Sequence, residues 1–292
     1  MPSGKTVKLI LYEALQFTAF IVPVFVIFER FARLIHNVKG QDLTTYWLVV
    51  AVSTAYVTSA SLLVWVPLKY MILKRRFLTE ITQRPTVLVY LMLCTFPCFA
   101  ILITSSKVQV DGGHCYDHFA ELPVSLVLFS LICVDIIEQI RPCRLTGQPS
   151  AAYLYSLSAH PQSHSGPLGF LWRRDGRSQV FMDTFLFWLD TVEMVRVAGE
   201  PSVYYSGWVF PVYILAFLST LRIAITPHNP LLSSAGVALQ DLPFFIIRVA
   251  LIIVFGYVTP LLYPLKNVLV SLTYIYFTFL TKLRIFRSHS MF

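Results

Sequence analysis

The stretch LPFFIIRVALIIVFGYVTPLL, Leu242 to Leu262, carries a single charge, Arg248, among almost continuous apolar residues. About 20 such residues wound into a helix cover the hydrocarbon thickness of a bilayer, and a helix is required there because unpaired backbone groups are costly in hydrocarbon. Working outward from it, comparable runs lie at Leu9 to Phe28, Tyr46 to Pro67, Thr86 to Thr104, Leu122 to Ile140, Gln179 to Ala198, Gly207 to Thr226 and Leu265 to Thr281. The predicted fold is an all-α polytopic transmembrane helix bundle of about eight spans. Only Tyr263 and Pro264 separate the last two runs, so seven spans with a broken last helix is the alternative.

Composition agrees. The 292 residues are 56% apolar and 13% charged, with a mean hydropathy of +0.67, whereas soluble domains have about a quarter of their residues charged. A water-soluble domain and intrinsic disorder are both excluded. Five cysteines in a chain this long do not make a disulfide scaffold.

Basic residues set the orientation, because Lys and Arg are retained on the cytoplasmic side. With eight spans, fifteen fall on the side of the termini and five (Arg30, Arg33, Lys39, Lys107, Lys266) on the far side; Arg196, Arg222 and Arg248 lie within spans. Both termini are therefore expected in the cytoplasm. The first run carries Glu13 and no small-residue cleavage site, so it reads as a retained anchor. Tyr46, Trp47, Trp65, Tyr204, Tyr205 and Trp208 mark span ends. The net charge of +8 is accounted for by these flanking residues, and nucleic acid is not an expected partner.

The chain divides into a first four-span half, 1–140, a basic linker rich in Pro, Ser and Gly, 141–178, and a second four-span half, 179–292, with a short basic tail. The bilayer is the first expected partner, and the linker is where protein partners are expected. Cys143 at the membrane edge is a palmitoylation candidate. Ala51, Ala55 and Ser59 form a small-xxx-small face suited to close helix packing. Pro23, Pro97, Pro211 and Pro260 lie inside spans and are expected to kink them. Glu121-Leu122-Pro123 and Asp241-Leu242-Pro243 each place an acid before a proline in a first helical turn.

Ionisable groups within spans are the candidate site, since each costs about 2.5–3.5 kcal/mol at a helix centre. At 100° per residue, Asp183, Asp190, Glu193 and Arg196 of the fifth run form one polar stripe that has to meet other helices or a water-filled cavity. The expected ion-pair partners are Glu13, Asp135, Glu138, Arg222 and Arg248, preferentially Arg222 with Asp183 and Arg248 with Asp135 or Glu138. Such pairs fix helix registry. The competing reading is a cation or proton path along the acidic stripe, as in a transporter or channel.

The loop from Asp111 to His118 holds five potential metal ligands, with His114 and His118 four residues apart, as are His160 and His164. Gly112 and Gly113 and the lack of a second cysteine argue for an ordinary turn rather than a metal site. No zincin, nucleophile-elbow, phosphate-loop or intramembrane aspartyl-protease motif occurs in the sequence. An enzyme is therefore not expected, nor is a cofactor.

Several stretches carry a resemblance: Leu122 to Leu128 with Val134 to Glu138, Asp190 to Gly199, Thr226-Pro227 with Asn229 to Leu232, Gln240 to Phe244, Lys266 to Val270 and Leu280 to Phe286. In these the chain resembles the transmembrane protein 236 family over nearly its whole length except the linker, which is shorter here. The resemblance implies a multi-pass membrane protein and carries over no catalytic or ligand residues. The resulting expectation is a structural or interaction membrane protein.

Overall fold

The computed structural model describes residues 4–38, 43–73, 85–112, 121–145, 176–225, 234–276 and 278. Among them there are helices and connecting turns but no strand. The long helices are α1 (Gly4–Val38), α2 (43–73), α3 (Pro85–Gly112), α4 (Glu121–Leu145), α5 (Gly176–Ala198), α6 (Val209–Ile225), α7 (Ser234–Phe255) and α8 (Leu262–Ile275). A one-turn helix, Pro201–Tyr204, joins α5 to α6. Four stretches, Leu9–Val38, Leu43–Ile72, Pro85–Gly112 and Ser234–Phe255, are long and apolar enough to cross a membrane. α4 and α5 are longer than α6 but carry more charge, and α6 is apolar but only 17 residues long.

α1 packs on α2 and α4, α4 on α5, α5 on α6, and α6 on both α3 and α7, while α8 lies along α7. One apolar core runs through this arrangement, from Phe20 stacked on Trp65 at 5.0 Å to Met194, Tyr213, Phe244 and Leu251. Meanwhile Leu62, Leu63, Met92, Ile253 and Leu269 face outward. Apolar side chains on both the inside and the outside are what lipid as solvent allows.

Among the described residues, α2, α3 and α7 each contain a full π-helical turn that ends two residues before a proline. Ser61–Trp65 precedes Pro67, Leu91–Thr95 precedes Pro97, and Val237–Asp241 precedes Pro243. Proline has no N–H and its ring clashes with the carbonyl four residues back, so widening the preceding turn lets the helix continue. In α3 the replacement donor is visible: Leu93, four residues before Pro97, accepts the Tyr56 hydroxyl from α2 at 2.7 Å.

These turns correct the sequence expectations. Helix α2 continues past Pro67 to Leu73 and carries Lys69 into the bundle. Helix α7 begins at Ser234, so Asp241 and Pro243 are interior rather than first-turn residues, whereas Pro123 does fall in the first turn of α4. Pro211 sits in the first turn of α6, and Pro260 lies outside any helix. The final break falls at 256–261, not at Tyr263-Pro264, which open α8. Gly256 ends α7 with φ +79° and ψ −148°, a conformation essentially reserved for glycine. Ala51, Ala55 and Ser59 are exposed; α2 instead buries Val49, Ser53, Val57 and Ala60.

Because 256–261 is non-helical, α8 starts alongside α7 rather than level with its end. Tyr263, its second residue, lies over the Arg248 guanidinium at 5.0 Å, seven residues short of the end of α7. Lys266 reaches Asp241, further back still. Within this segment Thr259 is buried, whereas Tyr257 and Leu261 are exposed.

Candidate functional site

Among the described residues, most of the buried ionisable side chains gather into two networks, one in each half of the chain. In the first, Lys69 of α2 lies 3.3 Å from Glu13 of α1 and 3.4 Å from Thr86 Oγ1 of α3, also donates to Gln16, and stacks over Trp65. Gln16 in turn donates to the Val134 carbonyl of α4 at 3.3 Å. Glu138 of α4 accepts the backbone N–H groups of Thr86 and Val87, each at 3.0 Å. Those groups belong to the first turn of α3, where no intrahelical acceptor exists and the helix dipole favours a carboxylate. Glu138 thus caps one helix from another. Asp135 is buried one turn before it.

The second network centres on Asp190 of α5, which is 1% exposed. Its Oδ1 accepts from Arg248 Nη1 at 2.6 Å, and Oδ2 accepts from Lys266 Nζ at 2.8 Å and Gln240 Nε2 at 3.2 Å. Arg248 also donates to the Asp190 carbonyl at 3.1 Å and lies between the rings of Phe244 and Tyr263. Lys266 reaches Asp241 at 2.9 Å and Asn267 Oδ1 at 3.0 Å. Arg222 of α6 donates to Gln240 and lies 4.0 Å from Asp241. Asp190 and Asp241 therefore face Arg222, Arg248 and Lys266, one net positive charge. Desolvation makes each ion expensive on its own, and this density of hydrogen bonds is the condition under which buried pairs persist.

The expected pairings change accordingly. Arg248 meets Asp190 rather than Asp135 or Glu138, and Glu138 belongs to the other network. Arg222 is placed against Gln240 and Asp241, while the side chain of its expected partner, Asp183, lies outside the described residues. The stripe itself divides. Asp190 points into the bundle, Glu193 is buried and pairs with Arg196 at 2.6 and 2.8 Å, and Arg196 is exposed at the edge.

Sequence reasoning passed over Gln16, Lys69, Gln240, Asp241, Lys266 and Asn267. The sequence expectation counts Lys69 with the basic residues on the side of the termini and Lys266 on the far side. A signal for α8 was present: Leu262, Leu265, Leu269 and Leu272 mark a lipid-facing stripe, which sets Asn267 and Ser271 on the opposite face.

No group of three or more His, Cys, Asp or Glu residues is arranged to hold a metal among the described residues. Of the loop candidates, His114, Cys115, Asp117 and His118 lie outside the described residues, as do His160, His164 and nearly all of the linker; so does the side chain of Cys143. Between α5 and α6, the Tyr204 hydroxyl donates to Gln109 of α3, and burial raises its pKa.

The chain is similar over its whole length to three proteins named Transmembrane protein 236. The one from Danio rerio is 50% identical with 100% of both chains covered. That from Mus musculus is 40% identical with 98% of each covered, and that from Oryctolagus cuniculus is 39% identical, covering 100% of this chain and 99% of its own. The longest alignment spans 351 positions against 292 residues here, so that relative carries segments this chain lacks. No family model matches the chain. No solved structure matches it either.

Proposed function

The chain belongs to the transmembrane protein 236 family and is a multi-pass membrane protein, and from that premise we propose that it is a structural or interaction protein. It crosses the bilayer eight times with both termini in the cytoplasm, its two buried charge networks fasten the helices of each half, and its linker meets protein partners. The observation that carries this reading is the saturation of Asp190. Both carboxylate oxygens accept from cationic or amide donors, leaving the centre of the stripe occupied by fixed protein charges. A cation route needs carboxylates free to exchange partners, and the local excess of positive charge repels a cation. Stapling is therefore favoured over conduction.

The test is Asp190→Asn combined with Glu193→Gln in reconstituted vesicles. Stapling predicts a less stable protein and no cation- or proton-dependent flux in either wild type or variant. A wild-type flux abolished by the double change in protein that still folds would overturn the reading. Tags at either terminus that antibodies reach from outside intact cells would refute the proposed orientation.

A further inference from the structure

Helix α8 is attached to the bundle differently from every helix it accompanies. Its buried residues are Pro264, Asn267 and Ser271, with no large aliphatic or aromatic side chain among them, while Tyr263, Val268, Val270 and Tyr274 are half-buried. Leu262, Leu265, Leu269, Leu272 and Ile275 are all exposed. By contrast α6 buries Val209, Val212, Tyr213, Ala216 and Ile223, and α7 buries Phe244, Ile247 and Leu251. Within lipid there is no hydrophobic drive pressing one helix on another, so α8 is held by its polar contacts and by packing of small residues. Asn267 Nδ2 and Ser271 Oγ on that inner face have no hydrogen-bond partner. Two ties remain: Tyr263, whose ring covers the Arg248 guanidinium at 5.0 Å, and Lys266, which bridges Asp190 and Asp241 and whose side chain is 27% exposed, whereas both carboxylates are buried.

We propose that α8 is a hinged half-helix latched onto the bundle by Lys266. The hinge is the non-helical 256–261 segment, entered at Gly256 with φ +79°, where nothing lies within 4 Å of the position a Cβ would take. Release is electrostatically feasible because of what stays behind. Without Lys266, Asp190 keeps the Arg248 hydrogen bond at 2.6 Å and Asp241 keeps the approach of Arg222 at 4.0 Å while losing its hydrogen bond to the ammonium, so two acids face two bases and no net charge is stranded. The departing side chain is already partly exposed. Opening uncovers the two carboxylates and Gln240 on the face that α8 vacates, giving the second half a closed and an open arrangement. This extends the stapling reading: α5, α6 and α7 are the fixed part and α8 the movable one.

Hydrogen exchange on the full chain in lipid nanodiscs tests the latch. In wild type, amides of 262–276 are expected to exchange on the order of tenfold faster than those of 244–255, the mark of a separately opening unit. Equal protection of the two helices overturns the proposal. Lys266→Met is expected to raise exchange in 256–276 by about a further tenfold while leaving α5 and α6 unchanged, and Lys266→Arg to restore protection. No change, or a rise spread over the whole second half, would refute a local latch. The wild-type comparison decides the matter even where Lys266→Met fails to fold. Failure here with an intact Asp190–Arg248 coupling would leave the stapling reading standing.

Discussion

Arg248 places Nη1 2.6 Å from a carboxylate oxygen of Asp190, 58 positions earlier in the chain, with both side chains withdrawn from solvent. This pair joins α7 to α5, and its second arm, to the Asp190 carbonyl, fixes the guanidinium relative to the backbone as well. Its replacement by one partner alone leaves a buried charge with reduced compensation, which sets the expected penalties.

Arg248→Met and Asp190→Asn are each expected to destabilise the protein by about 3–5 kcal/mol, and the double change by clearly less than their sum. Thermal unfolding in detergent, analysed as a double-mutant cycle, measures the coupling. Additive penalties would show that the two residues act independently.

Tyr56 supplies the donor that Pro97 lacks. Tyr56→Phe is expected to lose about 1–3 kcal/mol by leaving the Leu93 carbonyl unserved. In a Pro97→Ala background, where the backbone N–H returns, the same change should lose less. Identical losses in both backgrounds would mean that the hydroxyl does not replace the missing amide.

Glu138 caps α3 through two backbone amides. Glu138→Ala is expected to lower stability by about 0.5–2 kcal/mol and to speed hydrogen exchange at Thr86 and Val87, with Glu138→Gln intermediate because it keeps one acceptor oxygen. Unchanged exchange in this turn would rule the cap out.

Gly256→Ala separates conformational strain from crowding, since an added Cβ there meets no atom within 4 Å. A loss of about 1–3 kcal/mol is expected from the backbone angles alone. A variant as stable as wild type would mean that the chain takes ordinary angles at this position.

Where sequence expectation and structure part, the cause is depth along the helices. The stripe of α5 was readable because Asp190 and Glu193 recur at helical spacing within one apolar run, and Asp190 does turn inward. Its partners were not readable. The lengthening of α2 and α7 past Pro67 and Pro243 brought Lys69 and Asp241 into the bundle, and the 256–261 break let α8 carry Lys266 back to the level of Asp241.

By itself the sequence determined the solvent and the all-helical class, because apolar run length, charge content and helical period are local properties that hydrocarbon makes compulsory. It also marked which acids and bases needed company. Which of them meet was decided by tertiary structure alone: a π-helical turn or a short non-helical segment shifts a side chain's depth by several ångströms, and an ion pair forms only where two helices bring opposite charges to the same level.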